Sequence, residues 1–362
     1  MTKNRSWKVK QPMYINPYLK KITRVKDHED RTGYLWLDMN ENPEGLPEDF
    51  VKRTLEKINA QTIAGYPYKE ELIQLIAERE QISTDAVTLT NGSDEGIKLM
   101  FEAFTKEVDK VIAVTPSFEM YRIYAEMKGV ILETVTYDES FQIRVTDIID
   151  KIDEKTDVVV LLNPNSPIGS EYSREEYIRI IEKACQVGAL VFIDEAYVPF
   201  GVQSQVDLIR KYDNVLILRT FSKLCSMAGL RVGYILGNPQ LIKYLDNAEG
   251  SYNVNAMGIL FASELLKKPA LLQQLADIQA EGKQYLCEQL EQNRYDYIGQ
   301  YGNYVLIRTN KNPNEVAQMM REKKILIKTY NNSLLKDWVR VTTGSKKIMQ
   351  QFWNVFIQVE TV

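Results

Sequence analysis

Short apolar runs, often β-branched, recur along the chain at 87–89 (VTL), 111–114 (VIAV), 130–135 (VILETV), 158–162 (VVVLL), 190–193 (LVFI), 215–218 (VLIL) and 234–236 (YIL). Their length and composition predict seven buried strands. Helix-like stretches lie between most of them. DEGIKLMFEAF follows the first, and SREEYIRIIEKACQVG precedes the fifth, opening with a Ser-x-x-Glu capping signal and closing on glycine. Strand and helix alternating in this way predict an α/β fold, a mainly parallel seven-stranded sheet with helices on both faces.

From about residue 262 the pattern changes. Long amphipathic stretches, ASELLKKPALLQQLADIQAEGKQYLCEQLEQ, are followed by the short strand candidates YVLIRT, ILIKT and WVRVTT, which reads as a smaller α+β domain. The first 45 residues carry little regular pattern beyond TGYLWLDMN. The division expected is therefore an N-terminal arm with part of the small domain at 1–45, a large domain at 46–261 and a small C-terminal domain at 262–362. No internal repeat or low-complexity tract interrupts it.

Composition narrows the function. Of 362 residues, 44% are hydrophobic and 26% charged, an ordinary globular balance that leaves no room for disorder, collagen or coiled coil. Forty-five basic against 49 acidic side chains give a net charge of −4 without a long single-sign block, so neither nucleic acid nor an anionic membrane is an expected partner. No apolar run approaches the ~20 residues of a membrane helix, and MTKNRSWKVK has no hydrophobic stretch behind its charges. A cytoplasmic protein acting on a small molecule is expected. Cys185, Cys225 and Cys287 are widely spaced and form no CxxC pair, against a disulfide framework or thiolate metal site. The single histidine, His28, excludes histidine triads and multi-histidine metal sites by counting, and no metal is expected. Acid–base chemistry must come from Lys, Asp, Glu, Tyr or Cys.

In open parallel sheets ligands bind beyond the carboxyl ends of the strands. The residues there are polar and small: Thr90 to Glu95, Asn163 to Pro167, Asp194 to Tyr197 and Arg219 to Lys223. Asn91-Gly92-Ser93 opens a predicted helix, whose free N–H groups suit a phosphate, although the same residues make an ordinary helix cap. Thr220, Ser222 and Lys223 follow another strand, with Arg231 eight residues beyond the lysine. Asp194 ends the apolar run ALVFI, so its carboxylate is expected to be partly buried and in need of a cationic or hydrogen-bonded partner; capping a turn is the plainer alternative. A phosphate cradle, a buried Asp and a Lys after separate strands suggest pyridoxal phosphate, whose aldehyde needs an amine and whose ring nitrogen needs an acid.

At these residues the chain resembles the fold-type I pyridoxal-phosphate-dependent aminotransferases, and among them the histidinol-phosphate aminotransferase family. The resemblance runs from about residue 14 to 344 through DMNENPEGLP, AGYPYKEEL, LTNGSDEGIKLMFEAF, TPSFEMY, LNPNSPIGS, DEAYVPF, LRTFSKLCSMAGLRVGY, YNVN and VRVTTG. It implies that Lys223 carries the cofactor and shuttles the proton, that Asp194 pairs with the pyridinium nitrogen and that Tyr197 hydrogen-bonds the 3-hydroxyl. It implies a phosphate site of Gly92, Ser93 and Asp94 with Thr220, Ser222 and Arg231, and stacking of Phe118 on the ring. Tyr66 would reach the phosphate of a partner subunit, making a homodimer with shared sites. Arg340 would bind the substrate's acid group, and Tyr18 and Asn40 would line the entrance.

Three departures from the family pattern stand out. NPNSPIG replaces NPNNPTG, putting Ser166 where an asparagine often meets the 3-hydroxyl and Ile168 where threonine is typical, with Asn165 a possible replacement contact. SKLCSMAG replaces a loop richer in glycine and alanine. Lys328 of ILIKTY stands where a second arginine commonly grips the substrate phosphate, a point charge in place of a planar fork. The activity expected is transfer of an amino group between glutamate or 2-oxoglutarate and a small, phosphorylated amino or keto compound, histidinol phosphate by default. The alternatives are a decarboxylase of a phosphorylated amino acid, similar to the threonine-phosphate decarboxylases, and a non-catalytic relative; retention of Lys223, Asp194, Tyr197 and Arg231 together speaks against the latter.

Overall fold

The computed structural model describes residues 13–22 and 30–361, so His28 lies outside the described residues. After a two-residue strand β1 (Leu35–Trp36), the seven apolar runs become β2 (Val87–Thr90), β3 (Lys110–Thr115), β4 (Ile131–Thr136), β5 (Thr156–Leu162), β6 (Leu190–Asp194), β7 (Val215–Thr220) and β8 (Gly233–Gly237). They form one sheet in the order β2-β8-β7-β6-β5-β3-β4. Only β8 runs antiparallel to its neighbours.

Burial on both faces explains the continuous apolar runs. Along β5 and β6, Val159, Leu161, Val191 and Ile193 enter one core, while Val158, Val160, Leu162, Leu190 and Phe192 enter the other, as the two-residue period of a strand requires. Helices Gly92–Phe104, Met120–Lys128 and Pro239–Ala248 supply apolar partners on the second face. Helices Glu70–Glu80, Arg174–Val187 and Ala256–Leu266 supply them on the first. The capping signal of Arg174–Val187 is realised: Ser173 accepts from the Glu176 N–H, Glu176 reciprocates, and Gly188 ends the helix at φ +76°. Edge strand β4 is mostly uncovered, and its Glu133 pairs with Lys110 and Lys151, charges that discourage further strand pairing.

The smaller α+β part is built from β9 (Tyr297–Ile298), β10 (Tyr304–Arg308), β11 (Ile325–Leu326), β12 (Lys328–Thr329) and β13 (Trp338–Thr342) with helices Pro269–Gln292, Pro313–Glu322 and Lys346–Thr361. ILIKT, read as one strand, splits in two. Ile325 and Leu326 pair in parallel with β1, and Lys328 and Thr329 pair with β13. TGYLWLDMN thereby becomes a structural link between the two parts, since its Leu37 sits in the small core and the residues after it reach the large sheet's carboxyl end.

Two features prepare the site. Because β8 is antiparallel and lies between β2 and β7, Gly233 pairs with both Thr90 and Thr220, which sets the loops after β2 and β7 side by side. A Cβ on Gly233 would stand 2.8 Å from the backbone of Gly92 and Ser93, so only glycine permits this approach. Among the described residues no helix is long and apolar enough to cross a membrane.

Candidate active site

A cavity of about 700 Å³ opens where the carboxyl ends of the large sheet face the small part; its walls include Met39, Asn40, Phe118, Tyr121, Ser166, Tyr197, Lys223, Lys328 and Arg340. Against its wall, Asp194 ends β6 with 2% of its surface exposed. Its Oδ2 accepts from the Tyr121 hydroxyl at 2.7 Å and its Oδ1 from the Ala196 N–H at 3.0 Å. Burial lifts this carboxyl from its ordinary 3.8 to about 6, against the lowering effect of those two donors and of Lys223. Tyr121, likewise buried, has its own pKa raised well above the ordinary value by burial and by the neighbouring Asp194.

Tyr197 is buried, and its hydroxyl accepts from the Asn40 side-chain amide at 3.0 Å. Burial alone would raise its pKa, but Lys223 and Arg340, helped by Asn40 and Ser166, outweigh that and hold it below the usual 10. The phenol is thus stabilised toward its anion. Lys223 lies 5.6 Å from the Tyr197 ring centre and donates from Nζ to the Met39 carbonyl at 3.0 Å. Asn40 adopts φ +57°, a left-handed conformation in which its N–H meets Thr342 Oγ1 at 2.9 Å and its carbonyl accepts from Asn303 at 3.0 Å.

Arg340 reaches over from β13. It donates to the Asp38 carbonyl at 2.6 Å and lies 3.4 Å from Ser166 Oγ, and its Nε is buried without a partner. Lys328 is its direct neighbour across the β12–β13 pair. Among the described residues, no carboxylate forms an ion pair with Lys223, Lys328 or Arg340, so three cations face one cavity uncompensated. Such a site calls for anions.

A second cluster lies at the ends of β2, β7 and β8. Gly92 begins its helix at φ +75°, and a Cβ there would collide with the Arg231 guanidinium. Arg231, at φ +54°, donates to the Ala228 carbonyl at 3.2 Å and to the Asn91 carbonyl at 3.5 Å. Thr220 Oγ1 and Ser222 Oγ are 2.9 Å apart. Thr90 Oγ1 and Asp94 Oδ1 are buried without partners, and Asn91 provides no side-chain cap. A helix N-terminus, Ser93, two hydroxyls and an arginine therefore converge with hydrogen-bonding capacity left over.

Phe118 is half exposed on the cavity wall, edge-on to Tyr121 with ring centres 6.0 Å apart. Ser166 lies between Arg340 and Tyr197. Asn165 points elsewhere: its amide oxygen accepts from Ser117 at 2.7 Å and its amide nitrogen donates to the Pro116 carbonyl at 2.9 Å, which uses both ends of the side chain in fixing a loop. Ile168 is buried in the core of the first face. Two further residues stand outside the cavity of their own chain. Tyr18 hydrogen-bonds Glu107 and packs against Gly129. Tyr66 is 79% exposed and stacks on Tyr252 at 4.1 Å.

Tyr121 is the functional candidate that sequence reading passed over. Its signal was present in SFEMY, one helical turn beyond Phe118, where two aromatics share a face. Tyr121→Phe is expected to remove a donor to the Asp194 carboxylate and raise its pKa further. The loss is about 1 kcal/mol, checked by pH titration of the cofactor-loaded protein's absorbance.

Residues 32–356 match the family model described as aminotransferase class I and II, and the chain belongs to that family. A histidinol-phosphate aminotransferase from Caldanaerobacter subterraneus is 33% identical over 92% of this chain and 95% of its own. The crystal structure of the histidinol-phosphate aminotransferase from Clostridium acetobutylicum superposes with a TM-score of 0.82 at 26% identity, covering 90% of this chain and 99% of that one. A histidinol-phosphate aminotransferase from Sinorhizobium meliloti, solved in complex with pyridoxal-5'-phosphate, shares the fold at a TM-score of 0.86, with 18% identity over 98% of this chain and 99% of that one.

Proposed function

We propose that this pyridoxal-phosphate-dependent aminotransferase acts on a phosphorylated amino compound, histidinol phosphate in the first instance, with glutamate and 2-oxoglutarate as the second pair. The observation that carries the reading is the convergence of Lys223, Tyr197 and Arg340 on one cavity, with Asp194 buried behind Tyr121 at its wall. The residues fit pyridoxal phosphate. Asp194 is a buried carboxylate satisfied only by neutral donors, which leaves it free to meet a protonated ring nitrogen. The cluster at Gly92, Ser93, Asp94, Thr220, Ser222 and Arg231 has an uncapped helix start, the unpaired Thr90 hydroxyl beside it and a glycine-lined approach, which suit the phosphate.

When bound, the cofactor supplies an aldehyde for the amino group and a ring that accepts the electron pair left at the substrate Cα. The protein does the rest. Lys223 would hold the aldehyde at rest; displaced by the substrate's amino group, its freed Nζ would accept the proton from Cα and give it back on the other side of the transfer. Asp194 would keep the ring nitrogen protonated, because a buried carboxylate gains more from a neighbouring cation than from any neutral partner. Tyr197, biased toward its anion, would hold the 3-hydroxyl oxygen, with Ser166 as a second polar contact and Phe118 to pack on the ring. Asn165, committed to Ser117 and Pro116, supports that wall from behind.

Arg340 binds the substrate's anionic group, and Lys328 beside it adds a second, less directional charge. Arg340→Ala is expected to cost about 2 to 5 kcal/mol in kcat/KM and Lys328→Ala less, because only Arg340 has a partly buried guanidinium. Lys328→Arg should raise the preference for phosphorylated donors. Steady-state kinetics with phosphorylated and unphosphorylated amines check both; kcat/KM values in Arg340→Ala that are unchanged from the unsubstituted enzyme for all of them reject the anion-binding role.

The reading as a whole is tested by mixing the loaded enzyme with histidinol phosphate and following conversion of bound cofactor by absorbance. Conversion that 2-oxoglutarate reverses is expected. Release of carbon dioxide from a phosphorylated amino acid, with no need for a keto acid, would instead identify a decarboxylase.

The working unit is a homodimer with shared sites. The support is Tyr66: its exposed ring and that of Tyr252 form an aromatic pair with nothing over it among the described residues. Inactive Lys223→Ala protein mixed with inactive Tyr66→Ala protein should regain activity on subunit exchange, since one of two sites is then intact. Exchange without recovery rejects the shared site.

A further inference from the structure

A second cavity, of about 460 Å³, lies away from the first and shares no lining residue with it. Its walls come from the long helix Pro269–Gln292, the loop 199–201 and the turn 299–302. The helix packs closely here because Gly282 has no side chain: a Cβ would collide with the Gly344 carbonyl. One residue further on, Lys283 reaches into the cleft and donates from Nζ to the Gly302 carbonyl at 2.7 Å. Among the described residues that carbonyl is its one hydrogen-bond partner, and no carboxylate lies within ion-pair distance of it. Burial pushes its amine down to about 8. An ammonium group held by a lone carbonyl in a largely apolar cleft gains most from an anion.

The rest of the lining says what kind. Phe200, Ala276 and Ala280 give an apolar wall sufficient for a few carbon atoms. Gln279 and Thr343, 3% and 1% exposed, also line the cleft, and each has a side-chain oxygen with no partner. Unpaired acceptors beside a cation match a ligand that carries a donor next to its negative charge. We propose that this cleft is a second small-molecule site that takes a small carboxylate bearing an adjacent hydroxyl or amino group, the carboxylate on Lys283 and the donor toward Gln279 and Thr343. The site is independent of the catalytic cavity and of the substrate assigned there.

L-Lactate is the probe, and the Arg340→Ala enzyme loaded with cofactor removes the competing anion site. Saturation-transfer NMR should detect lactate bound at millimolar concentration, propanoate more weakly because it lacks the donor, and isopropanol not at all. Adding Lys283→Met should abolish the lactate signal, and Lys283→Arg should retain it. In the unsubstituted holoenzyme, lactate should slow acetylation of Lys283 by acetic anhydride several-fold, mapped by peptide mass spectrometry, while exposed lysines react unchanged. Lactate binding that persists in Lys283→Met, equal acetylation of Lys283 with and without lactate, or a Lys283 that resists acetylation altogether would overturn the site. None of these results bears on transamination.

Discussion

Lys223→Ala is expected to reduce turnover by about 10⁴-fold or more while leaving a folded protein. The side chain is partly exposed and makes one hydrogen bond, to the Met39 carbonyl, so its removal costs little packing. Its backbone is held from both sides: β7 is buried through Leu218, and Phe221, 2% exposed, anchors the loop that follows. The cavity has only one other lysine among the described residues, Lys328, which is held on β12 beside Arg340. In the proposed reading that position serves an anion on the substrate, so substitution by alanine at 223 should leave no amine able to act at Cα. Borohydride reduction of the loaded wild-type enzyme followed by peptide mapping checks the assignment independently of rate. Label on Lys328 instead of Lys223 would exchange the two roles, and added methylamine should restore part of the lost rate only if Lys223 is the proton carrier.

The large sheet was legible because its strands are covered on both faces, so that Val158 to Leu162 and Leu190 to Ile193 read as unbroken apolar runs against polar strand-end loops. The small part was less so. Its strands are short and half covered, and the break inside ILIKT follows from tertiary pairing, with Leu326 claimed by β1 and Lys328 by β13, a choice that no local pattern contains. The site divides in the same way. Asp194 was readable as a carboxylate closing a buried strand, and Gly92 as a helix-start glycine. Which partner Asp194 takes was not, because Tyr121 approaches from a helix 73 positions away in sequence. Asn165 and Ser166 are adjacent in sequence, yet one amide is spent on the Ser117 loop and the other side chain faces Arg340, a division set by backbone direction in a turn. Tyr18 and Tyr66 mark the remaining limit: both were expected at the site, both lie outside the cavity of the single chain, and nothing in their local sequence sets that position.

Asp194→Asn is expected to lower the rate of proton removal from Cα by about 10³-fold and, in the same protein, to raise the stability of the cofactor-free enzyme above pH 6. The first effect follows from charge: an amide cannot hold the ring nitrogen protonated, and loss of one preorganised electrostatic group costs roughly that much. The second follows from burial. In the cofactor-free fold the Asp194 carboxyl is raised from 3.8 to about 6, so between those values the folded protein keeps a proton that the unfolded chain has lost. Stability therefore falls as pH rises through this window, by roughly 3 kcal/mol in all, and stays lower above it. The asparagine does not ionise and escapes that penalty, and its amide oxygen can still accept from the Ala196 N–H. Urea denaturation of the cofactor-free wild type and variant at pH 4 and pH 8 separates the two: their difference should be small at pH 4 and favour Asp194→Asn at pH 8. Saturating cofactor should reverse the order at pH 8, since the ring cation stabilises only the carboxylate. A variant that loses stability equally at both pH values would mean that Asp194 is held by its hydrogen bonds rather than strained by burial, and near-normal proton removal would take it out of the reaction altogether.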